Sequence, residues 1–131
     1  MSGQDFARIA LGTVRSFNGL AALFMPRKMV QRLGVDPDTN GAAIYVLRMF
    51  GIRTVFLGAE LFLLEGARRE EALRNGVVIH ASDATAAAIA GIRRQLPRKV
   101  AAVAFVISSL NTVLAIVALR RTDAEEQVPG P

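Results

Sequence analysis

The chain has no cysteine and only one histidine, His80. Disulfides and thiolate metal sites are therefore excluded, and the redox compartment is left open. One histidine also excludes a multi-histidine metal site within a single chain, so no metal and no cofactor are expected. No nucleophile–base pair, glycine-rich phosphate loop or metal-ligand set stands out. No segment shows the two-residue alternation or the dense turn signals of a strand. The opening "MSGQDFARIALG" lacks the basic region and small-residue cleavage site of a secretory signal, so the first apolar run is expected to remain in place.

What is present in excess is apolar surface. The 131 residues, enough for one domain and hardly for two, are 52% hydrophobic. Their mean hydropathy is +0.35. Charged residues make up 21% but gather in 26–41, 65–76, 93–99 and 120–126, which leaves long apolar runs between them. A net charge of +5 on its own would suit nucleic acid. The basic residues instead fall in short clusters that border the apolar runs: Arg27, Lys28 and Arg32; Arg68, Arg69 and Arg74; Arg93, Arg94, Arg98 and Lys99; Arg120 and Arg121. Polytopic membrane proteins carry positive charge in that way, beside lipid headgroups, and nucleic acid is not an expected partner.

Four apolar segments follow: 6–25, ending before Pro26; 42–64, bounded by glycines; 73–92, rich in alanine; and 100–119, which begins after Pro97. At 1.5 Å per residue, about 20 residues span a hydrocarbon core of ~30 Å. The last, "VAAVAFVISSLNTVLAIVAL", carries no charge at all. A chain this short has little volume to bury such a helix on every side, which favours a membrane over the interior of a soluble bundle. The expected architecture is all-α, an integral membrane four-helix up-down bundle over residues 1–121, with a disordered tail at 122–131. A short interfacial helix ended by Gly34 is expected in "PRKMVQRLGVDPDTNG", whose "DPDTNG" is turn chemistry. The loops at 26–41 and 93–99 hold seven Lys and Arg against five at 65–76 and 120–121, so the first two are expected in the cytoplasm.

The charges inside these segments share a depth. Arg15, Arg53 and Asp83 lie at or near the middles of the first three, and Ser108, Ser109 and Asn111 near the middle of the fourth. Arginine or aspartate at mid-helix disfavours insertion by ~2.5–3.5 kcal/mol, while each large apolar residue returns only ~0.3–0.6 kcal/mol. The segment 42–64 cannot offset Arg48, Arg53 and Glu60 alone, so an inward polar layer with partners is expected, above all Arg53 against Asp83. Gly12, Gly19, Gly51, Gly58 and the alanines of "ASDATAAAIAG" would allow the close helix approach it needs. The candidate ligand-binding or polar-core residues are Arg15, Arg48, Arg53, Glu60, His80, Asp83 and Asn111. Set against them are blander roles. Arg48 can snorkel to headgroups, His80 can be a simple hydrogen-bonding residue, and Ser108, Asn111 and Thr112 can join helices without a ligand. The layer as a whole can be a structural ion-pair network.

With Arg15, Gly19, Pro26, Arg48, the run "FGIR" ending at Arg53, Leu57, Gly58 and Asp83 in place, the chain resembles a functionally unassigned group of small bacterial four-helix membrane proteins, distantly DoxX-like. The resemblance covers 8–119 and implies fold and a multi-pass plasma-membrane location, and it adds no chemistry. The Ala, Arg and Val usage suits a high-GC bacterium.

Arginine keeps its proton, so an excess of inward cations calls for an anionic or carbonyl-bearing group. One functional class is therefore a membrane binding or accessory protein, with a lipid, quinone or fatty-acid-like ligand. A homo-oligomer or a larger membrane complex is its candidate assembly, and the lipid bilayer is its constant partner. The other class is a small isomerase-like enzyme, with Asp83 or Glu60 as acid/base and an arginine as electrophile.

Overall fold

The computed structural model describes residues 1–125, with side chains described as far as Arg120. The described residues are all-helical: α1 Gly3–Phe24, α2 Pro26–Arg32, α3 Gly41–Leu63, α4 Gly66–Ile92 and α5 Arg98–Glu125. Of the disordered tail expected at 122–131, residues 122–125 instead continue α5, and the remainder, 126–131, lies outside the described residues.

Local chemistry sets the ends. Ser2 caps α1 through a reciprocal box: Asp5 N–H donates to Ser2 Oγ at 3.2 Å and Ser2 N–H donates to Asp5 Oδ2 at 3.3 Å. Pro26 disfavours helical backbone at Met25, which ends α1, and its fixed φ then opens α2. Gly34, at φ +79°, closes the short helix as expected. Asp36 accepts from the N–H of Asp38 at 3.0 Å in the turn that follows, and Asn40 caps α3 by accepting from Ala43 N–H at 3.1 Å. Helix α4 begins seven residues earlier than its apolar stretch, because Ala, Arg and Glu in "GARREEAL" are strong helix formers that need no apolar surroundings. Two arginines cover carbonyls at the end of α3: Arg8 Nη1 donates to Leu61 O at 2.8 Å and Arg69 Nε to Leu64 O at 2.6 Å.

Packing is uneven. The pairs α1–α3 and α4–α5 share the broadest faces, α1 also packs on α5, and α3 touches α4 lightly although the two are joined by only two residues. Glycine decides the first pair. A Cβ on Gly51 would lie 2.7 Å from both Gly19 O and Leu23 N, and one on Gly58 would lie 3.0 Å from Gly12 O. Gly19 opposite Gly51 and Gly12 opposite Gly58 make the pair antiparallel, with backbone against backbone. At one end of the bundle Ala7, Leu11, Leu61, Leu73, Ala115 and Ala118 form the apolar cluster. At the other, Gly34 meets the ring of Pro97 in the α4–α5 turn.

Polarity is distributed inside out. The buried residues are mostly alanine and glycine, together with Arg15, Thr54, His80 and Asn111, while Phe17, Phe24, Tyr45, Phe56, Leu63 and Ile92 lie on the surface. One described helix, over Arg98–Arg120, is long and apolar enough to cross a membrane, and only 17% of its apolar stretch is buried. The sequence led us to expect four such helices. The other three interrupt their apolar runs with polar residues: Arg8 and Arg15 in α1, Arg48, Arg53 and Glu60 in α3, and Arg74, Asn75, His80, Ser82 and Asp83 in α4.

Candidate functional site: a polar chamber at mid-bundle

Between α1, α3, α4 and α5 lies a chamber of about 70 Å³, lined by Arg15, Asn18, Phe50, Arg53, Thr54, Leu57, Ile79, His80, Asp83, Ile107, Ser108 and Asn111. Arg15, from the middle of α1, is 1% exposed. Its Nε donates to His80 Nε2 at 2.9 Å and its Nη1 to the Leu57 carbonyl at 3.1 Å. A guanidinium only donates, so His80 Nε2 must be the unprotonated nitrogen and the imidazole proton sits on Nδ1. That nitrogen lies 3.8 Å from Asp83 Oδ2, too far for a hydrogen bond. The third guanidinium nitrogen, Nη2, is buried without a hydrogen-bond partner, as is Asn111 Oδ1. Glycine makes room for the arginine head, since a Cβ on Gly76 would lie 2.4 Å from Nη2.

Of the seven residues singled out from the sequence, Arg15, Arg53, His80, Asp83 and Asn111 line this one chamber. Arg48 and Glu60 do not. Arg48 is exposed near the start of α3, and Glu60 is half-buried one turn beyond Leu57, close enough to Arg15 to act on it electrostatically but outside the lining. Arg53 and Asp83, expected to pair, both line the chamber and feel each other's charge, yet no ion pair within 4 Å joins them among the described residues. Arg53 is exposed, and the buried arginine that engages α4 is Arg15. Thr112 does not bridge helices: its hydroxyl donates to Ser108 O of its own helix at 2.8 Å.

Sequence reasoning missed Asn18, Thr54 and Gly76. Asn18 was legible, lying three residues after Arg15 and hence on the same face of α1. Gly76 carried no sequence signal beyond being a glycine inside a helix.

Outside the chamber, between α1 and α5, runs an apolar groove of about 370 Å³, formed by Thr13, Val14, Phe17, Asn18, Ile107, Leu110 and Asn111. Asn18, Ile107 and Asn111 belong to both, so they are the wall between groove and chamber. Among the described residues no group of three or more His, Cys, Asp or Glu is placed to hold a metal ion. No family model, curated protein or solved structure matches this chain.

Proposed function

We propose that this chain is a small multi-pass membrane protein that binds an apolar molecule with an anionic or carbonyl head in its central chamber. One observation carries the reading: two residues with a buried polar atom that has no hydrogen-bond partner, Arg15 (Nη2) and Asn111 (Oδ1), line a cavity inside a bundle whose outer faces are apolar. In water such a surface would be a large exposed apolar patch, and a soluble bundle would bury α5 rather than its arginine. In lipid the distribution is the expected one, with small residues and polar groups between helices and large side chains outside. Arg15 and Arg53 lower the average hydropathy of α1 and α3, although Arg15 is turned inward. Arg48, near a helix end, reaches headgroups.

Two arginines, one aspartate and a neutral histidine line the chamber, which leaves an excess of cationic donors for a head that accepts hydrogen bonds. Acid/base catalysis finds one geometric support, the approach of His80 Nδ1 to Asp83. It is the second reading: of the two carboxylates that could serve as acid/base, Asp83 lines the chamber and Glu60 does not, and His80 cannot assist as a base because Arg15 occupies its Nε2.

The test is native mass spectrometry of the protein extracted in mild detergent, after alkaline carbonate washing of membranes. The protein is expected to stay with the membranes and to carry one small acidic or carbonyl amphiphile. Release into the carbonate supernatant, or a chain that never retains such a molecule, ends the reading.

A further inference from the structure

We infer that the ligand is a single-chain carboxylic acid, with its tail in the α1–α5 groove and its carboxylate passing between Asn18 and Asn111 into the chamber. This rests on the binding reading above and assigns the class of ligand and its route.

Size gives the first reason. The chamber holds about 70 Å³. A cavity of roughly 150 Å³ takes a benzene ring, so this one admits an acyclic head and not a quinone ring. Charge gives the second. The lining itself holds Arg15 and Arg53 against Asp83, with His80 neutral, a surplus of one positive charge among the groups a head would touch, while Glu60 acts on Arg15 from outside the chamber. One monoanion neutralises it. A neutral carbonyl head would leave the surplus unmet, and a phosphate dianion would overshoot it.

Connection gives the third. The groove is walled by Val14, Phe17 and Leu110, opens on the apolar outer surface, and shares its inner wall with the chamber. On the proposed route an acid carried in the surrounding lipid lays its chain in the groove and reaches the arginines sideways by parting Asn18 and Asn111, residues common to both cavities. Asn111 is 5% exposed and its Oδ1 is unpartnered at this wall. An amide oxygen only accepts, so a carboxylate there would require the Asn111 amide to rotate by half a turn and present its two N–H donors instead.

The full chain in mild detergent is titrated with oleate, methyl oleate, dodecyl phosphate and decylubiquinone, with native mass spectrometry counting bound molecules. One oleate per chain is expected, at least tenfold tighter than any of the other three. Arg53→Gln, at the chamber, and Leu110→Trp, in the groove, are each expected to weaken oleate at least tenfold. Both positions are exposed, and circular dichroism checks that the variants fold. Thr13→Trp, on the facing wall, is a second probe of the groove. Phe56→Leu, on the outer surface away from both cavities, is expected to bind as the parent does.

Tighter binding of the phosphate, the ester or the quinone than of oleate, lost in Arg53→Gln, overturns the carboxylic-acid assignment while the binding reading survives. Unchanged oleate affinity in both groove variants overturns the route alone. No saturable binding of any probe overturns both.

Discussion

Arg15 is the residue on which the centre of the molecule turns. It is a permanent cation that is 1% exposed, and its described hydrogen-bond partners are a neutral imidazole nitrogen and a backbone carbonyl. Removing His80 strands Nε and removing Arg15 strands His80 Nε2, each leaving a buried group unpaired at about 1–3 kcal/mol or more. Arg15→Met and His80→Leu together are therefore expected to destabilise less than the sum of the two, by about 0.5–3 kcal/mol in a thermal-unfolding cycle in one detergent. Additive losses would mean that the two side chains do not meet. Gly76→Ala tests the same head from behind. Its new methyl falls 2.4 Å from Nη2, so a loss of about 1–3 kcal/mol is expected. An unchanged melting temperature would show that the guanidinium has room to move. At this scale depth was legible and direction was not. Each residue advances 1.5 Å along its helix, which places Arg15, Arg53, Asp83 and Asn111 at one level by counting. Glu60, on the same face as Arg53 but seven residues on, is about 10 Å away along the axis, and it drops out of the chamber. Which arginine meets α4 depends on how each helix is turned about its own axis, and no count along the sequence contains that angle.

Helices α1 and α3 are held by absence of side chains. At Gly19 and Gly51 an added Cβ would lie 2.7 Å from backbone atoms of the facing helix, where nothing flexible can yield. Gly51→Ala is expected to force the pair apart and lower stability by about 1–3 kcal/mol. Gly41→Ala, where no atom lies within 4 Å, is the matched control and is expected to be neutral or slightly stabilising. Equal melting temperatures for the two variants would refute backbone-on-backbone packing. That these glycines serve close approach was legible from their spacing, whereas which helix each one faces was not. The start of α4 was missed for a related reason. Apolar periodicity reports the buried stretch of a helix, while "GARREEAL" extends the helix beyond it on propensity alone.

For the molecule as a whole, the antiparallel order of helices puts the α2–α3 turn and the α3–α4 corner at opposite ends. In right-side-out vesicles a cysteine introduced at Asp38 is expected to react with an impermeant reagent from the face opposite to one introduced at Glu70. Labelling of both from one face would refute a bundle that crosses the bilayer. Under the proposed membrane reading the contact with lipid would be apolar, so screening of charge is not expected to free the chain and high salt should leave it in the membrane pellet.

From the sequence alone come the all-helical class, the short helix between Pro26 and Gly34, the charge-free stretch 100–119 within α5 and the set of polar residues at one depth. All of these follow from local chemistry: proline and glycine punctuation, propensity, and a fixed rise per residue. The tertiary structure alone decided that Arg15 rather than Arg53 is buried, that it holds His80, that Arg48 and Glu60 stand outside, and that a groove between α1 and α5 adjoins the chamber. Those outcomes depend on the rotation and spacing of four helices against one another. Rotation and spacing are set by side-chain volumes at the contacts taken together, glycine against backbone above all, and not by any one stretch of the chain.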